Sequence, residues 1–348
     1  MRINEFNHRE PSSLQQDSSS SGIHHQLCPR KSLRRHIMRK IRDSGSPKKC
    51  PLNSKPSPFD CSSSLGLLQK RAVLCGVTYS KGKLRLKGTV NDVRNMRDLL
   101  INWFGFKPQG VLVLTEEEED ERHIPTRKNI MEALKWLVKG CKNGDSLVFY
   151  FSGHGLRSPD FDDDETDGFD ETICPVDFQK EGMILDNDIN SLIVKPLQKG
   201  VTLHAIVDAC HSGTILDLEH VYERDFKRWK DNRPPSRVSK ATSGGFAICL
   251  GACEDNQLAS DTSAFTGKTM NGVLTYILTD IVKQKDPRKP LTYGELLDKI
   301  YEKIEQVKKK DWLMSTSFLK RFFRDRLSQK PLLSSSEKFE VYKRHFLI

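Results

Sequence analysis

From residue 71 onward, short runs of β-branched and aromatic residues alternate with segments whose apolar residues have helical spacing. The runs have the length of strands, and the segments between them are long enough to cross back over a sheet as helices. This order predicts an α/β fold, a three-layer sandwich in which a mostly parallel central sheet is flanked by helices. No apolar stretch approaches the length that spans a membrane.

The predicted elements follow from these patterns. Strands are expected at 71–79, 111–115, 146–152, 172–178, 201–208, 245–252 and 338–346. Helices are expected at 89–104, 126–139, 188–197, 269–284 and 293–309. The segment 218–245 is polar, basic and contains Pro, which predicts an exposed loop.

The N-terminal part of the chain is strongly basic. Residues 1–70 hold 13 Lys or Arg against 5 Asp or Glu, so most of the net charge of +10 lies there. Its Ser and Pro content predicts a disordered leader over residues 1–69, with nonspecific contact to nucleic acid at most. The first residues lack the order of a secretory signal, and early acidic residues disfavour a transit peptide. We expect a cytoplasmic location, with the nucleus as the alternative.

The chain has nine scattered cysteines and no CxxC pair. An odd number without paired spacing favours a reducing compartment and disfavours both a disulfide framework and a zinc ribbon. We therefore expect no zinc.

Two strand-like runs end in small-residue turns that each hold one reactive side chain. SLVFYFSGHG delivers His154, and VTLHAIVDACHSG delivers Cys210. If the two strands are neighbours in a parallel sheet, both side chains emerge at the same carboxyl edge. An imidazole is the usual means of keeping a thiol as thiolate, so we interpret Cys210 as a nucleophile and His154 as its base, with His211 as a weaker alternative. The amides of Gly155 and Cys210 are the candidate oxyanion donors.

The acidic segment 160–171 is a second candidate site. An EF-hand register fails there, because Cys174 stands where the bidentate Glu is needed. Two interpretations of the segment remain. One is a cation site assembled from several loops, in which later aspartates join Asp170, and the other is a charged loop that is merely solvated. Such hard oxygen ligands favour Ca²⁺ over zinc.

Five motifs resemble those of the metacaspases, cysteine peptidases of the caspase-like clan, and in particular the type I members of plants. They are FSGHG, DACHSG, LKGTVNDV, ICPVDF and SGGFAICLGACEDNQLASDTSAF. The resemblance implies a caspase-like sandwich over residues 70–348, with a larger part over 70–221, a linker over 222–244 and a smaller part over 245–348. It also implies that Cys210 is the nucleophile and His154 the general base and acid.

The resemblance implies a substrate pocket for a cationic side chain. The family's pocket maps onto Asp92, Ser152 and Asp208, and Thr89 stands where the family commonly has Cys. A carboxylate pair beside the nucleophile selects a cation and repels an acidic side chain. We expect a monomeric endopeptidase that cleaves protein or peptide substrates after Arg or Lys.

The resemblance also implies a calcium site. It maps onto Asp170, Asp186, Asn187 and Asp217, with Asp188 as an alternative ligand. Asn187 stands where the family usually has Asp, which removes one charge. The N-terminal zinc finger that many plant type I members carry is not expected, because the leader lacks its paired CxxC spacing.

The linker holds basic residues at which such an enzyme could cut itself: Arg224, Lys227, Arg228, Lys230, Arg233, Arg237 and Lys240.

Two alternatives to this function remain. One is a scaffold with this fold that binds partners without cutting, and the other is a different clan member, such as a legumain or separase relative.

Overall fold

A computed structural model of the protein describes residues 68–81, 84–161, 165, 168–233, 236, 238–252, 261–262, 271–286, 288–314 and 330–348. The predicted leader, apart from residues 68 and 69, and the expectation that it holds no zinc finger lie outside the described residues.

Thirteen strands lie in the described part of the chain: β1 (Lys70–Gly76), β2 (Val111–Thr115), β3 (Ser146–Ser152), β4 (Gly155–Pro159), β5 (Phe169–Ile173), β6 (Ile184–Leu185), β7 (Thr202–Asp208), β8 (His220–Glu223), β9 (Arg228–Asp231), β10 (Phe246–Gly251), β11 (Asp261–Thr262), β12 (Asn271–Gly272) and β13 (Leu332–Ser335). Eight of them form the central sheet in the order β2-β1-β3-β7-β10-β13-β8-β9. The first five in this order are parallel, and the last three pair antiparallel. This confirms the predicted, mostly parallel sheet.

The helices are α1 (Thr89–Phe104), α2 (Arg127–Val138), α3 (Phe178–Glu181), α4 (Asp186–Ile189), α5 (Val273–Gln284) and α6 (Tyr293–Met314). A π-helical turn, Asn190–Val194, continues α4, and short 3₁₀ turns lie at Pro108–Gly110, Glu121–His123 and Arg224–Phe226. Helix α1 ends where Gly105 adopts a left-handed backbone with φ 69° and its amide donates to the Leu100 carbonyl. Among the helices that the structure describes, none has the length and apolar character needed to cross a bilayer.

Alternating side chains of the strands supply two separate cores. On β1, Val73 and Cys75 face the core that packs against α2 and the helical segment that begins at Asp186. Ala72 and Leu74 face the opposite core, which packs against α1, α5 and α6. Because both faces of each central strand are covered, the strands read as continuous apolar runs in the sequence.

The C-terminal segment differs from its prediction. Residues 338–346 form turns, and the last strand is β13. The segment buries Val341 and Phe346, and its carbonyls accept the amides of Tyr293 and Gly294 in the first turn of α6. Its alternation of apolar and polar residues therefore serves to cap and cover a helix rather than to extend a strand.

The segment predicted as an exposed loop, 218–245, also differs. Strands β8 and β9 form a hairpin within it and complete one edge of the central sheet. Tyr222 is buried on this hairpin, and the Trp229 indole N–H donates to the Phe339 carbonyl at 2.7 Å. The charged residues between Tyr222 and Trp229 hid the alternation of apolar and polar residues that marks a strand. Edge strands commonly carry such charged side chains.

Smaller differences concern element ends. The strand predicted at 172–178 is β5, which ends at Ile173, and α3 begins at Phe178. The helix predicted at 188–197 begins two residues earlier, at Asp186, and continues as the π-helical turn.

Candidate active site

His154 and Cys210 follow two neighbouring strands of the sheet. β3 and β7 pair in parallel with Ser152 opposite Asp208, so each candidate residue lies two positions beyond a paired strand end. The two chain segments touch: a Cβ placed on Gly155 would lie 2.0 Å from the carbonyl oxygen of Cys210. The fold thus brings both predicted residues to one carboxyl edge, and only glycine fits at position 155.

Cys210 differs from the other described cysteines in its exposure. It is half-buried, whereas Cys75, Cys141, Cys174 and Cys249 are buried. Burial, with a smaller contribution from the nearby Cys210, raises the pKa of the Cys174 thiol to about 12. A thiol buried in this way stays protonated and inert at neutral pH. Among the described cysteines, Cys210 is therefore the candidate nucleophile.

The His154 ring is oriented by a backbone carbonyl. Its Nε2 lies 2.7 Å from the oxygen of Leu84. A carbonyl only accepts hydrogen bonds, so the neutral ring carries its hydrogen on Nε2 and keeps the lone pair on Nδ1. This tautomer provides a base at Nδ1. The role of Leu84 was not predicted, because any residue type supplies a carbonyl.

Tyr79 holds the backbone of His154. Its hydroxyl accepts the His154 amide at 2.9 Å and donates to the Cys174 carbonyl at 2.7 Å. Its ring also packs against the imidazole, with centroids 4.6 Å apart. Tyr79 was not predicted as a site residue, although it ends the first predicted strand and so reaches the same sheet edge.

The loop that carries Tyr79 is fixed by one carboxylate. Glu116 accepts the amides of Thr78 and Tyr79, each at 2.6 Å, and the amide and hydroxyl of Ser80 at 3.0 and 2.8 Å. This anchorage matters because Tyr79 has a left-handed backbone, with φ 52°, which a bulky residue adopts at a cost.

The amide of Gly155 faces away from strand β5. His154 and Cys174 are a hydrogen-bonded pair of the antiparallel ladder, because the Cys174 amide donates to the His154 carbonyl at 3.0 Å. The second hydrogen bond of this pair is replaced by the Tyr79 hydroxyl, which bridges the His154 amide and the Cys174 carbonyl. The next pair, Gly155 and Ile173, is then of the non-hydrogen-bonded kind, in which amides point outward. This geometry is compatible with the predicted oxyanion role.

The loop after Cys210 contains two residues with a left-handed backbone, His211 at φ 50° and Asp217 at φ 51°. The Ser212 hydroxyl holds the loop by donating to the Val207 carbonyl at 3.3 Å and accepting the Ala252 amide at 3.0 Å. Backbone strain of this kind persists where the surrounding contacts enforce it, which is common at functional sites.

The predicted substrate-pocket residues Asp92, Ser152 and Asp208 lie together and are buried. The Ser152 hydroxyl donates to Asp92 at 3.0 Å, and the Gly272 amide donates to both Asp92 oxygens at 3.0 and 2.9 Å. Asp208 accepts the amide and the hydroxyl of Thr275 at 2.8 and 2.7 Å. Backbone amides at the N-terminus of α5 thus donate to both carboxylates.

Gly272 separates the two carboxylates. A Cβ on this residue would lie 2.3 Å from an Asp208 oxygen and 3.0 Å from an Asp92 oxygen, so a side chain would force the pair apart. Neither Gly272 nor Thr275 was predicted. The available signal was the Asn-Gly pair at 271–272, which lies inside the helix predicted at 269–284 and directly before the observed start of α5 at Val273. Thr89, also predicted for the pocket, is buried, and its hydroxyl lies 3.1 Å from that of Thr78.

The residues predicted to bind calcium also lie together. Carboxylate oxygens of Glu165, Asp170 and Asp186 lie within 4.8 Å of one another, and the Asn187 side chain donates to Asp170 at 3.3 Å. Burial raises the pKa of Asp186, and the charges of Asp217, Glu171 and Glu165 raise it further. This crowding of buried carboxylates fits a hard cation with oxygen ligands. Glu165 was not predicted, because it stood among many acidic residues.

Asp188 and Lys240 both form ion pairs, and Lys240 differs from its predicted exposure. Asp188, the alternative calcium ligand, pairs with Arg127 at 3.1 Å. Lys240, predicted in an exposed loop, is 2% exposed and pairs with Glu165 and Asp217. Burial lowers the pKa of Lys240, but the two carboxylates outweigh it and hold the pKa above its ordinary value.

Comparison with known proteins gives a consistent family. Residues 70–219 match the metacaspase, peptidase C14 domain. The chain is 42% identical to Metacaspase-1 of Arabidopsis thaliana over 291 residues, which are 80% of this chain and 79% of that protein. It is 42% identical to Metacaspase-3 of the same plant over 85% of this chain and 78% of that one. Metacaspase-1 of Yarrowia lipolytica is 34% identical over 78% of this chain and 63% of its own length.

A solved structure supports the fold. A protein of Geobacter sulfurreducens aligns with a TM-score of 0.53 at 20% identity, covering 80% of this chain and 99% of that chain. Together with the central sheet and its flanking helices, this similarity confirms the predicted caspase-like α/β sandwich. At this identity the likeness concerns the fold alone.

Proposed function

The chain belongs to the metacaspase family of cysteine-type endopeptidases, and we propose that it cleaves peptide bonds after Arg or Lys. The observation that carries this proposal is the pair of buried carboxylates, Asp92 and Asp208, at the sheet edge that also holds Cys210. Two negative charges in a water-poor pocket attract a guanidinium or ammonium group and repel a carboxylate.

The reaction we propose is an acyl transfer through Cys210. His154 Nδ1 takes the thiol proton, and the sulfur attacks the substrate carbonyl, whose oxyanion is held by the amides of Gly155 and Cys210. The protonated His154 gives its proton to the leaving amine. Water, deprotonated by the same ring, then hydrolyses the thioester and releases the Cys210 thiol.

A panel of reporter peptides that differ only at the residue before the cut tests the specificity. With the full-length protein we expect turnover of the Arg and Lys reporters and about a hundredfold lower kcat/KM for Asn and Asp, because like charges or an unfilled pocket cost several kcal/mol. Preferred cleavage after Asn would indicate a legumain-like specificity, and preferred cleavage after Asp a caspase-like one. Turnover of no reporter would favour a non-cleaving scaffold.

We also propose that calcium stimulates the enzyme. Asp170, Asp186 and Asp217 would hold the ion, with Asn187 and Glu165 completing the set of oxygen donors. Bound calcium would neutralise the repulsion among these carboxylates. Because Asp217 lies on the loop that begins at Cys210, this would steady the position of the nucleophile.

Calcium removal should slow the enzyme. We expect EDTA to lower kcat/KM on the Arg reporter by about tenfold, a typical coupling between two sites, and Asp186→Ala in calcium to reproduce the loss. Asp188→Ala is the matched control, because Asp188 pairs with Arg127 and should leave the calcium response intact. Unchanged kinetics under chelation would remove calcium from the proposal and leave the cysteine chemistry untouched.

Removing the Tyr79 hydroxyl should disturb the position of His154. In Tyr79→Phe the ring remains against the imidazole, but the His154 amide and the Cys174 carbonyl lose their shared partner. We expect kcat to fall about tenfold with little change in KM, since an unsatisfied buried group costs about 1–3 kcal/mol. The rate of Cys210 alkylation should fall as well.

Tyr222→Phe is the control for this substitution, because Tyr222 lies on β8, away from the carboxyl edge of β3 and β7. If Tyr79→Phe lowered melting temperature alone and left both kcat and alkylation unchanged, Tyr79 would be a structural residue without a positioning role.

A further inference from the structure

Lys240 forms a buried ionic cluster with two acidic residues. Its Nζ lies 2.7 Å from Glu165 Oε1 and 2.6 Å from Asp217 Oδ2, and the side chains of Lys240, Glu165 and Asp217 are 3%, 8% and 2% exposed. Breaking one side of such a buried pair is strongly unfavourable, because it leaves a charge without compensation. The ammonium is therefore an integral part of this arrangement.

The same carboxylates belong to the cation cluster. Glu165 lies within 4.8 Å of Asp170 and Asp186, measured between carboxylate oxygens, and Asp217 is one of the residues assigned above to calcium. Two cations within a few ångströms of each other repel strongly in a poorly solvated site. A divalent ion held by Glu165 and Asp217 would therefore oppose the ion pairs that these carboxylates make with the lysine.

We propose that Lys240 is an internal counter-ion that occupies the acidic cluster until Ca²⁺ displaces its ammonium group. This inference rests on the calcium stimulation proposed above and adds its control step. Because calcium binds only those molecules from which the ammonium has left, the apparent affinity is lowered by the fraction in which it has done so.

The position of Lys240 links this exchange to the catalytic loop and to the linker. The Asn190 side-chain amide donates to the carbonyls of Leu216, Asp217 and Lys240 at 3.0, 3.1 and 3.3 Å, so it joins the linker backbone to the loop after Cys210. Displacement frees the lysine side chain while this backbone link remains. A lysine held in ion pairs cannot enter a substrate pocket, whereas a displaced one can.

Calcium affinity tests the competition directly. Isothermal titration calorimetry compares the Cys210→Ala protein, which cannot cut itself, with the same protein carrying Lys240→Met or Lys230→Met. Lys230 is an exposed lysine on β9 and serves as the matched control. We expect Lys240→Met to bind calcium about tenfold more tightly than the parent and Lys230→Met to match the parent. Equal affinities for Lys240→Met and the parent would overturn the proposal.

A second measurement leaves Lys240 in place, so it stands even if Lys240→Met fails to fold. The Cys210→Ala protein is treated briefly with acetic anhydride, with and without calcium, and the acetylation of each lysine is measured by mass spectrometry. We expect calcium to raise the acetylation rate of Lys240 several-fold while that of Lys230 stays constant. A Lys240 rate that calcium leaves unchanged would contradict displacement.

These outcomes are separable from the failure of the proposed function. Reporter cleavage by the wild-type protein measures peptidase specificity and enters neither experiment. Calcium that binds without affecting Lys240 would overturn the counter-ion role alone, whereas no calcium binding by any variant would overturn both this role and calcium stimulation.

Discussion

Replacing Cys210 by alanine should lower turnover of the Arg reporter by at least about 10⁴-fold, since removing a nucleophile from a catalytic unit commonly costs that much or more. The substitution deletes the sulfur and leaves a small residue that the half-buried position accommodates. The measurement is initial rate at saturating peptide, with folding checked by circular dichroism. If the enzyme processes itself in the linker, the same substitution should also stop its conversion into fragments on a gel.

Cys141→Ala provides the control, because Cys141 is buried just beyond α2 and its thiol has no part in the proposed reaction. Iodoacetamide gives an independent readout that needs no substrate. It should mark Cys210 in the wild type and mark it more slowly in His154→Ala, which lacks the base. Turnover that persists in Cys210→Ala would overturn the assignment of the nucleophile. Failure of the reagent to mark Cys210 in the wild type would favour a non-cleaving scaffold.

Periodicity alone located the elements that fill the core. The predicted helix 89–104 and strand 111–115 coincide with α1 and β2, since burial on the sheet demands an apolar pattern there. The edge hairpin β8–β9 and the C-terminal turns escaped prediction for a shared reason. Both are decided by what they pack against, such as Trp229 against the segment at Phe339, and a local pattern does not contain that partner.

In the candidate site, too, local patterns were predictable and distant contacts were not. Strand ends predicted that His154 and Cys210 would meet, because parallel neighbours share a carboxyl edge. The Leu84 carbonyl and the Gly272 amide could not be predicted, since backbone groups carry no signature in the sequence. Lys240 was misjudged because its neighbours in the sequence are polar, whereas its ionic partners come from distant segments.

Replacing Asp208 by asparagine should remove most of the preference for a cationic residue. The change keeps the size of the side chain and an oxygen that can accept from Thr275, so the start of α5 stays capped. It removes one of two buried charges, and the loss of a buried partner for a cation costs about 2–5 kcal/mol. We therefore expect kcat/KM on Arg and Lys reporters to fall between about thirtyfold and several thousandfold.

The pattern of loss distinguishes a binding role from a structural one. Asp92→Asn should act in the same direction, whereas Asp98→Asn, an exposed change on the same helix, should have no effect. In Asp208→Asn the rate of Cys210 alkylation should stay near that of the wild type, because the nucleophile and His154 are untouched. An equal loss on reporters with cationic and neutral residues, together with slower alkylation, would mean that Asp208 supports the fold of the site. The selectivity for Arg and Lys would then have to arise elsewhere.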